Sequence, residues 1–490
     1  MTDPHELDEA VVEDSDAWGT RQRVGAFLAP AALLGIWFAP FPLTEVQHHL
    51  LAIFVATVVL WVTETLPVAV TALLVPPVMA IAGIAKPKEL FAPLADPILF
   101  IFIGGFMIAK AMTRHGLDRR IALSIVGLRA VGNDGSRVRL AFMGTATLLS
   151  MWMSNTATTA LLMPILLGVV GTKRSKDAGT ERAAVGSLVC LAYACSLGGL
   201  GTPVGSPPNL IALRYIEGAH IHMSFLSWMK IGIPSAIACT GATFAFYRWF
   251  APAKVTVDGT ASIEPVHAAM SKGERVTALA FGLAVLAWML PGLFELFGAP
   301  GAATLSKILA PENVAMVAAA LLFAFRDERD RVLPWREGVA IDWGTVLLFG
   351  GGISLGNQLF DSGLAAEISR AFVAATGIHG LWELTFAATL FTIFFTEVCS
   401  NTATATMVTP LVIAVAQELQ VPLTPPAMAV GLAASCAFMM PISTGPNAIV
   451  YGTGRVPMSF MLRGGFLLNV ACAVILFLLL RVLSGPFGWA

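Results

Sequence analysis

Two five-residue strings in this chain are identical, Ser154-Asn155-Thr156-Ala157-Thr158 and Ser400-Asn401-Thr402-Ala403-Thr404. Each lies at the centre of a long apolar stretch, 140–171 and 384–417. A side-chain amide flanked by hydroxyls supplies neutral oxygens and N–H donors without charge, a set that suits a small hard cation and the oxygens of an anion alike. Two more polar interruptions follow, one from Gly198 through Pro203, Gly205 and Ser206 to Asn209, the other from Pro441 through Ser443, Thr444 and Gly445 to Asn447. Proline and glycine stop the intrahelical hydrogen-bond ladder there. Freed carbonyls at half-helix C-termini suit Na⁺, and freed N–H groups at half-helix N-termini suit an anion. Four such breaks converging at one depth would form a composite site for both ions.

The charges narrow the chemistry. Between Arg139 and Lys173 there is no ionisable residue, and between Glu383 and Glu418 there is only Glu397. No arginine or lysine clamp is available at either string. An anionic substrate must then be met by oriented N–H groups, each helix end worth roughly half an elementary charge, and by bound cations. Glu397 has two readings: an acid that helps to hold sodium or a proton, or a carboxylate that braces backbone and hydroxyl groups. Glu64, near the end of an apolar run, reads as structural. Gly352-Ile353-Ser354-Leu355-Gly356 fits the G-x-S-x-G elbow but has neither a preceding strand nor a histidine partner, so no catalytic residue is assigned. Gly199-Leu200-Gly201 is a helix break rather than a dinucleotide fingerprint, since no βαβ unit accompanies it. The six cysteines (Cys190, Cys195, Cys239, Cys399, Cys436, Cys472) lie in apolar stretches without metal-ligand spacing, and the eight histidines lie outside the apolar cores. No organic cofactor is expected.

The elements that must carry these breaks follow from composition. The 490 residues are 56% hydrophobic and 12% charged, against roughly half and a quarter in soluble domains with glycine counted as apolar. That predicts an all-α polytopic membrane protein and excludes a cytosolic enzyme or an outer-membrane barrel. With 30 basic and 31 acidic residues and no basic stripe, nucleic acid is not an expected partner. Spans are predicted at 24–43, 48–65, 67–84, 92–113, 185–213, 225–250, 275–297, 312–326, 343–361, 427–452 and 459–483, about eleven in all. The stretches 140–171 and 384–417 are too long for one crossing and too short for two full ones. They read as re-entrant hairpins with tips at mid-membrane, in bounds 137–172 and 382–418.

Basic residues set the orientation. Lys110, Arg114, Arg119, Arg120, Arg129, Arg137 and Arg139 precede the first hairpin, and Lys173, Arg174, Lys176 and Arg182 follow it. Arg248, Lys254, Lys272 and Arg275 form a third group, and Arg326, Arg329, Arg331 and Arg336 a fourth. All fall on one side if the N-terminus is cytoplasmic and the C-terminus external, although Lys86 and Lys88 fall opposite. The first hairpin then enters from the cytoplasm and the second from outside. The chain divides into a disordered cytoplasmic tail (1–23), a first helix (24–45), a first repeat (46–250), a cytoplasmic linker (251–274) and a second repeat (275–484). The repeat rests on Gly104-Gly105 and Gly116-Leu117 recurring as Gly351-Gly352 and Gly363-Leu364, on the paired strings, and on Pro203–Asn209 recurring as Pro441–Asn447. The offsets are 247, 246 and 238 residues. Five spans per repeat invert the second copy, the signature of a secondary transporter.

These residues resemble the divalent anion/sodium symporter family, whose members carry dicarboxylates, citrate or sulfate. The resemblance runs from about Trp61 to Gly465. It rests on Trp61 to Pro67 with Val68 to Leu74, on Ser150 to Thr159, on Glu397 to Ala403 and on Asn447 to Gly452. By that resemblance one sodium site uses Ser150, Ser154 and Asn155 with the backbone of Gly205, and the other uses Thr396, Ser400 and Asn401 with the backbone of Ser443. Substrate carboxylates would meet Asn155, Thr156, Asn401 and Thr402, with Ser206, Thr444 and Gly445 beside them. The second break reads Thr444-Gly445-Pro446-Asn447 where many members have two prolines. The resemblance further implies a homodimeric elevator in the inner (plasma) membrane, coupling sodium influx to uptake of C4-dicarboxylates such as succinate, malate or fumarate. A sodium-independent dicarboxylate exchanger is the alternative, followed by a sulfate or citrate symporter and then an ion channel. A membrane-embedded hydrolase is disfavoured because Ser354 has no base.

Overall fold

The computed structural model describes residues 19–128, 131–132, 134–172, 174–252, 269–327 and 330–489. Most of the tail at 1–23 and of the linker at 251–274, with Arg129, Lys173, Lys254 and Arg329, lies outside them. The described residues are helical without a named strand. Five helices are long and apolar enough to cross a membrane: Glu45–Thr63, Pro87–His115, Phe225–Phe250, Lys272–Leu296 and Met458–Ser484. Ala302–Ile308 and Pro311–Ala324 form a further candidate span, bent by 49°.

The predicted hairpin stretches are pairs of helices with a sharp turn between them. Asp134 caps the first by accepting from the Arg137 N–H at 2.9 Å, and that helix runs from Gly135 to Ser150. After the turn, Ser154 accepts from the Ala157 N–H at 3.1 Å and opens Asn155–Val170. The second pair, Leu381–Phe395 and Asn401–Glu418, turns in the same way, with Ser400 accepting from the Ala403 N–H at 3.2 Å. A serine at the N-cap satisfies a backbone donor that the helix itself cannot. Backbone angles agree too: Ser154 has φ −62° and ψ 141°, Ser400 φ −62° and ψ 146°.

The predicted span at 185–213 is two helices, Ala178–Gly198 and Pro207–Gly218, and that at 427–452 is Thr424–Ala433 and Gly445–Gly452. Prolines at the first or second position of the later halves fix where each restarts. Between each such glycine-leucine pair the structure explains the recurrence. Gly116 (φ 70°) and Gly363 (φ 75°) take the left-handed conformation that turns a long helix into a short amphipathic one, Leu117–Val126 and Leu364–Thr376. Sequence periodicity within spans did not reveal these two helices, because their polar faces break the apolar runs.

Arg139 departs from expectation. It was grouped with a basic loop, yet its side chain is buried and donates to Ser187 Oγ at 3.1 Å and to the carbonyls of Tyr247 and Ala183 at 3.0 and 2.9 Å. Three neutral acceptors spread along the guanidinium satisfy a charge that burial alone would make costly. Elsewhere the halves interlock. A side chain on Gly104 would meet the Ala315 backbone at 2.6 Å, and one on Gly351 would meet the Ala72 carbonyl at 2.3 Å. Helix Pro97–His115 thus packs against Pro311–Ala324, and Trp343–Asp361 against Val68–Ile81.

Candidate functional site

Each hairpin tip holds the same contact. Ser150 Oγ donates to Asn155 Oδ1 at 2.6 Å, and Thr396 Oγ1 lies 2.8 Å from Asn401 Oδ1. Each broken helix also carries one asparagine that bridges its break. Asn209 Nδ2 donates to the carbonyls of Gly199 and Thr202 at 2.7 and 2.8 Å. Asn447 Nδ2 does the same to Ala437 and Met440 at 3.0 and 3.1 Å. An amide with two donors is suited to hold two freed carbonyls at once. The first tip and first break also meet: a Cβ on Gly199 would stand 2.7 Å from Asn155 Oδ1 and 3.1 Å from the Gly205 carbonyl oxygen. In the second half Thr396 Oγ1 reaches the Ala434 carbonyl at 2.8 Å, and Ser443 Oγ donates to Met440 O at 2.7 Å.

All four breaks border one cavity of about 580 Å³. Asn155, Thr156, Asn401 and Thr402 line it from the tips, and Ser206, Thr444 and Gly445 from the broken helices. Of the residues expected to hold sodium, Ser154, Gly205, Ser400 and Ser443 also border it. Ser150 and Thr396 do not; both are fully buried behind the tips, bonded to the asparagines. Neutral oxygens therefore stand in two clusters on the edge of one chamber many waters in size, and the Gly445 N–H at the start of Gly445–Gly452 belongs to its wall, whereas Pro207 and Pro208 leave the first turn of Pro207–Gly218 without that donor.

Gly445 has a steric reason. A Cβ there would stand 2.1 Å from Thr156 Oγ1, so the second broken helix touches the first hairpin tip only because position 445 lacks a side chain. The other half carries Pro207 at the corresponding place. The halves meet again where the Ser206 and Ser435 hydroxyls lie 2.8 Å apart.

Glu397 is a brace. Its Oε1 accepts from the Phe438 and Met439 N–H groups at 2.6 and 2.8 Å and from Asn469 Nδ2 at 2.8 Å, and its Oε2 accepts from the Met440 N–H at 3.0 Å. The carboxylate thereby collects three consecutive backbone donors in the second break. Glu64 is also structural. It ends helix Glu45–Thr63 at φ 50° and pairs with Arg21 at 3.6 Å. Ser354 Oγ donates to the Leu90 carbonyl at 2.7 Å, a helix-packing bond.

Sequence reasoning missed one wall of the chamber. Phe102, Phe106, Ala109, Lys110 and Thr113 line it from helix Pro97–His115, and Ala340, Ile341 and Asp342 from the segment before Trp343–Asp361. The available signal was Lys110 itself, a lysine inside the predicted span 92–113 that was counted with the loop after it.

The family model for the sodium:sulfate symporter transmembrane region matches residues 21–488. The chain belongs to that family. As a member of the sodium:sulfate symporter family it is a membrane transporter that couples sodium to an anion, and not an enzyme. It is 35% identical over 92% of its length to an uncharacterised transporter of Haemophilus influenzae, covering 95% of that protein. It is 30% identical to the sodium-dependent dicarboxylate transporter SdcS of Staphylococcus saprophyticus, over 97% of this chain and 93% of that one. The Staphylococcus aureus SdcS matches at 32% over 94% and 91%. Among solved structures, the YdaH transporter of Alcanivorax borkumensis has a similar fold, with a TM-score of 0.53 at 16% identity over 81% of this chain and 86% of that one. MtrF of Neisseria gonorrhoeae also scores 0.53, at 12% identity over 95% of each.

Proposed function

We propose that this sodium:sulfate symporter family member takes up C4-dicarboxylates, of which succinate, malate and fumarate are the expected cargo, driven by sodium influx. The observation that carries this reading is the chamber bordered by Asn155 and Asn401 from matched tips, with no cationic side chain on any of its four breaks. A dianion there is met by N–H groups, hydroxyls and bound sodium. The SdcS relatives, named sodium-dependent dicarboxylate transporters, point to the same substrate class. Ser150, Ser154, Asn155 and the Gly205 carbonyl would hold one sodium; Thr396, Ser400, Asn401 and the Ser443 backbone would hold the other. Carbonyls freed at half-helix ends suit this ion. Moving one net charge across 100 mV is worth about 2.3 kcal/mol, so sodium in excess of the dianion's charge would also draw on voltage.

The reading extends to the cycle. About eleven spans and two hairpins in inverted repeats would place the N-terminus in the cytoplasm and the C-terminus outside, in the bacterial plasma membrane. A homodimeric scaffold would stay fixed while hairpins and broken helices slide as an elevator. In that orientation Lys110, Thr113 and Asp342 mark the cytoplasmic end of the chamber.

Radiolabelled succinate uptake into proteoliposomes tests the proposal, with sodium outside, inside or absent and with or without trapped succinate. Uptake that requires only an inward sodium gradient is expected. Indifference to that gradient would sink symport, and a requirement for internal succinate without sodium would make the protein an exchanger.

A further inference from the structure

Lys110 and Asp342 are the two charged side chains that border the chamber among the described residues. They belong to one rim. Lys110 lies five residues before the end of helix Pro97–His115, and that end is tied by an Arg114–Glu337 ion pair to the short helix Trp335–Gly338, which leads to Asp342. The two charges are differently engaged. Asp342 Oδ1 accepts from the Thr345 N–H at 3.0 Å and its Oδ2 from Thr345 Oγ1 at 2.6 Å, so its lone pairs serve as a helix cap. Lys110 is exposed, and among the described residues no hydrogen bond or ion pair engages its ammonium.

The position of Lys110 along its helix matters. Phe102, Phe106, Lys110 and Thr113 are spaced four, four and three residues apart, which puts them on one helix face. At 1.5 Å per residue the ammonium-bearing position is about 12 Å along the axis from Phe102. The same wall is therefore apolar at one level and cationic at another. A charge in a cleft with low-dielectric walls focuses its field along the opening and raises the local concentration of the opposite ion.

We propose that Lys110 is a charge selector at the rim of the chamber, which favours entry of small anions over cations and neutral solutes and delivers them to the neutral tips. This inference rests on the chamber being an anion site, as argued above. It separates two tasks. Asn155 and Asn401 hold the ligand, and Lys110 sets which sign of charge arrives. An unpaired ammonium does this without the desolvation that a direct clamp would demand, and its reach is limited by salt screening to about 10 Å at 0.1 M.

A single reporter thiol tests it without any transport. All six native cysteines are buried, and Ala157 borders the chamber. In detergent-solubilised full-length Ala157→Cys protein, the rates of modification by an anionic and a cationic methanethiosulfonate of similar size are compared. Adding Lys110→Gln should lower the anion-to-cation rate ratio by about 3- to 10-fold, whereas Lys110→Arg should retain it. The difference between lysine and glutamine should shrink in 1 M salt. Asp342→Asn, which keeps a capping side chain, should shift the ratio toward the anion. A ratio indifferent to Lys110→Gln overturns the selector. Protein that shows the shift but moves no succinate, citrate or sulfate leaves the selector standing and refutes the transport reading instead.

Discussion

The two breaks solve one problem by different means. In the first, the freed backbone is held by neutral bonds spread over several elements: Asn209 across the gap, the Thr202 hydroxyl on the Met151 carbonyl, and the Trp228 indole N–H on the Leu200 carbonyl at 3.1 Å. In the second, Asn447 repeats the bridge, but the donors of Phe438, Met439 and Met440 converge on the single carboxylate of Glu397. Met151 stands at the place corresponding to Glu397 in the first half. A duplicated framework has thus kept its asparagines while one copy concentrated its support in one charge and the other distributed it. The lesson is that matched ligands do not imply matched sensitivity.

That difference can be broken experimentally. Glu397→Ala leaves the N–H groups of buried Phe438 and half-buried Met439 and Met440 without their acceptor, a loss of about 1–3 kcal/mol at the buried one and less at the others. Uptake should be lost and thermal unfolding of the purified protein should move to clearly lower temperature; an unchanged melting curve would show that the second break does not depend on this carboxylate. Asn155→Ala and Asn401→Ala act where the halves agree, so each should abolish uptake while the melting temperature stays near wild type. Undiminished uptake by either variant would remove that asparagine from the site. Gly445→Ala sharpens the contrast further. Its methyl must displace Thr156, and the succinate KM should rise about tenfold, roughly 1.4 kcal/mol, while sodium dependence persists. The smallest effect is expected at Trp228→Phe, which deletes one of several first-half braces. A loss of about 1 kcal/mol in unfolding stability with uptake retained would fit distributed support; a collapse as severe as that of Glu397→Ala would not.

Much of this arrangement was legible in the sequence because its causes are local. Ser154 and Ser400 announce helix starts by residue type, and Pro203, Pro207, Pro441 and Pro446 announce breaks. Their recurrence at matched offsets ties the halves together without any knowledge of contacts. The rest depends on partners that have no letter in a sequence. Glu397 is a brace because three backbone N–H groups turn toward it, and backbone donors are the same in every residue. Gly445 could be seen as a departure from its counterpart Pro207, but its reason is Thr156 nearly three hundred residues away. Lys110 is visible as a charge inside a span, but its place on the chamber wall is not, because proximity to Arg114 and Arg119 makes it look like part of a basic loop only. Arg139 is the one that departs from the basic-loop reading: a one-dimensional count cannot tell a solvated arginine from one enclosed by carbonyls.

The close contacts at Gly104 and Gly351 bear on how the protein is made. Helix Pro97–His115 fits closely against Pro311–Ala324 around Gly104 and Ala315, a residue synthesised 211 positions later. At roughly 5–20 residues per second the ribosome needs about 10–40 s to supply it. During that interval the small-residue groove of the earlier helix faces lipid or whatever insertion machinery shelters it. Biogenesis of the first half therefore ends only when the second half has emerged, and a chain arrested near residue 250 would leave the membrane holding an unfinished surface rather than half a transporter.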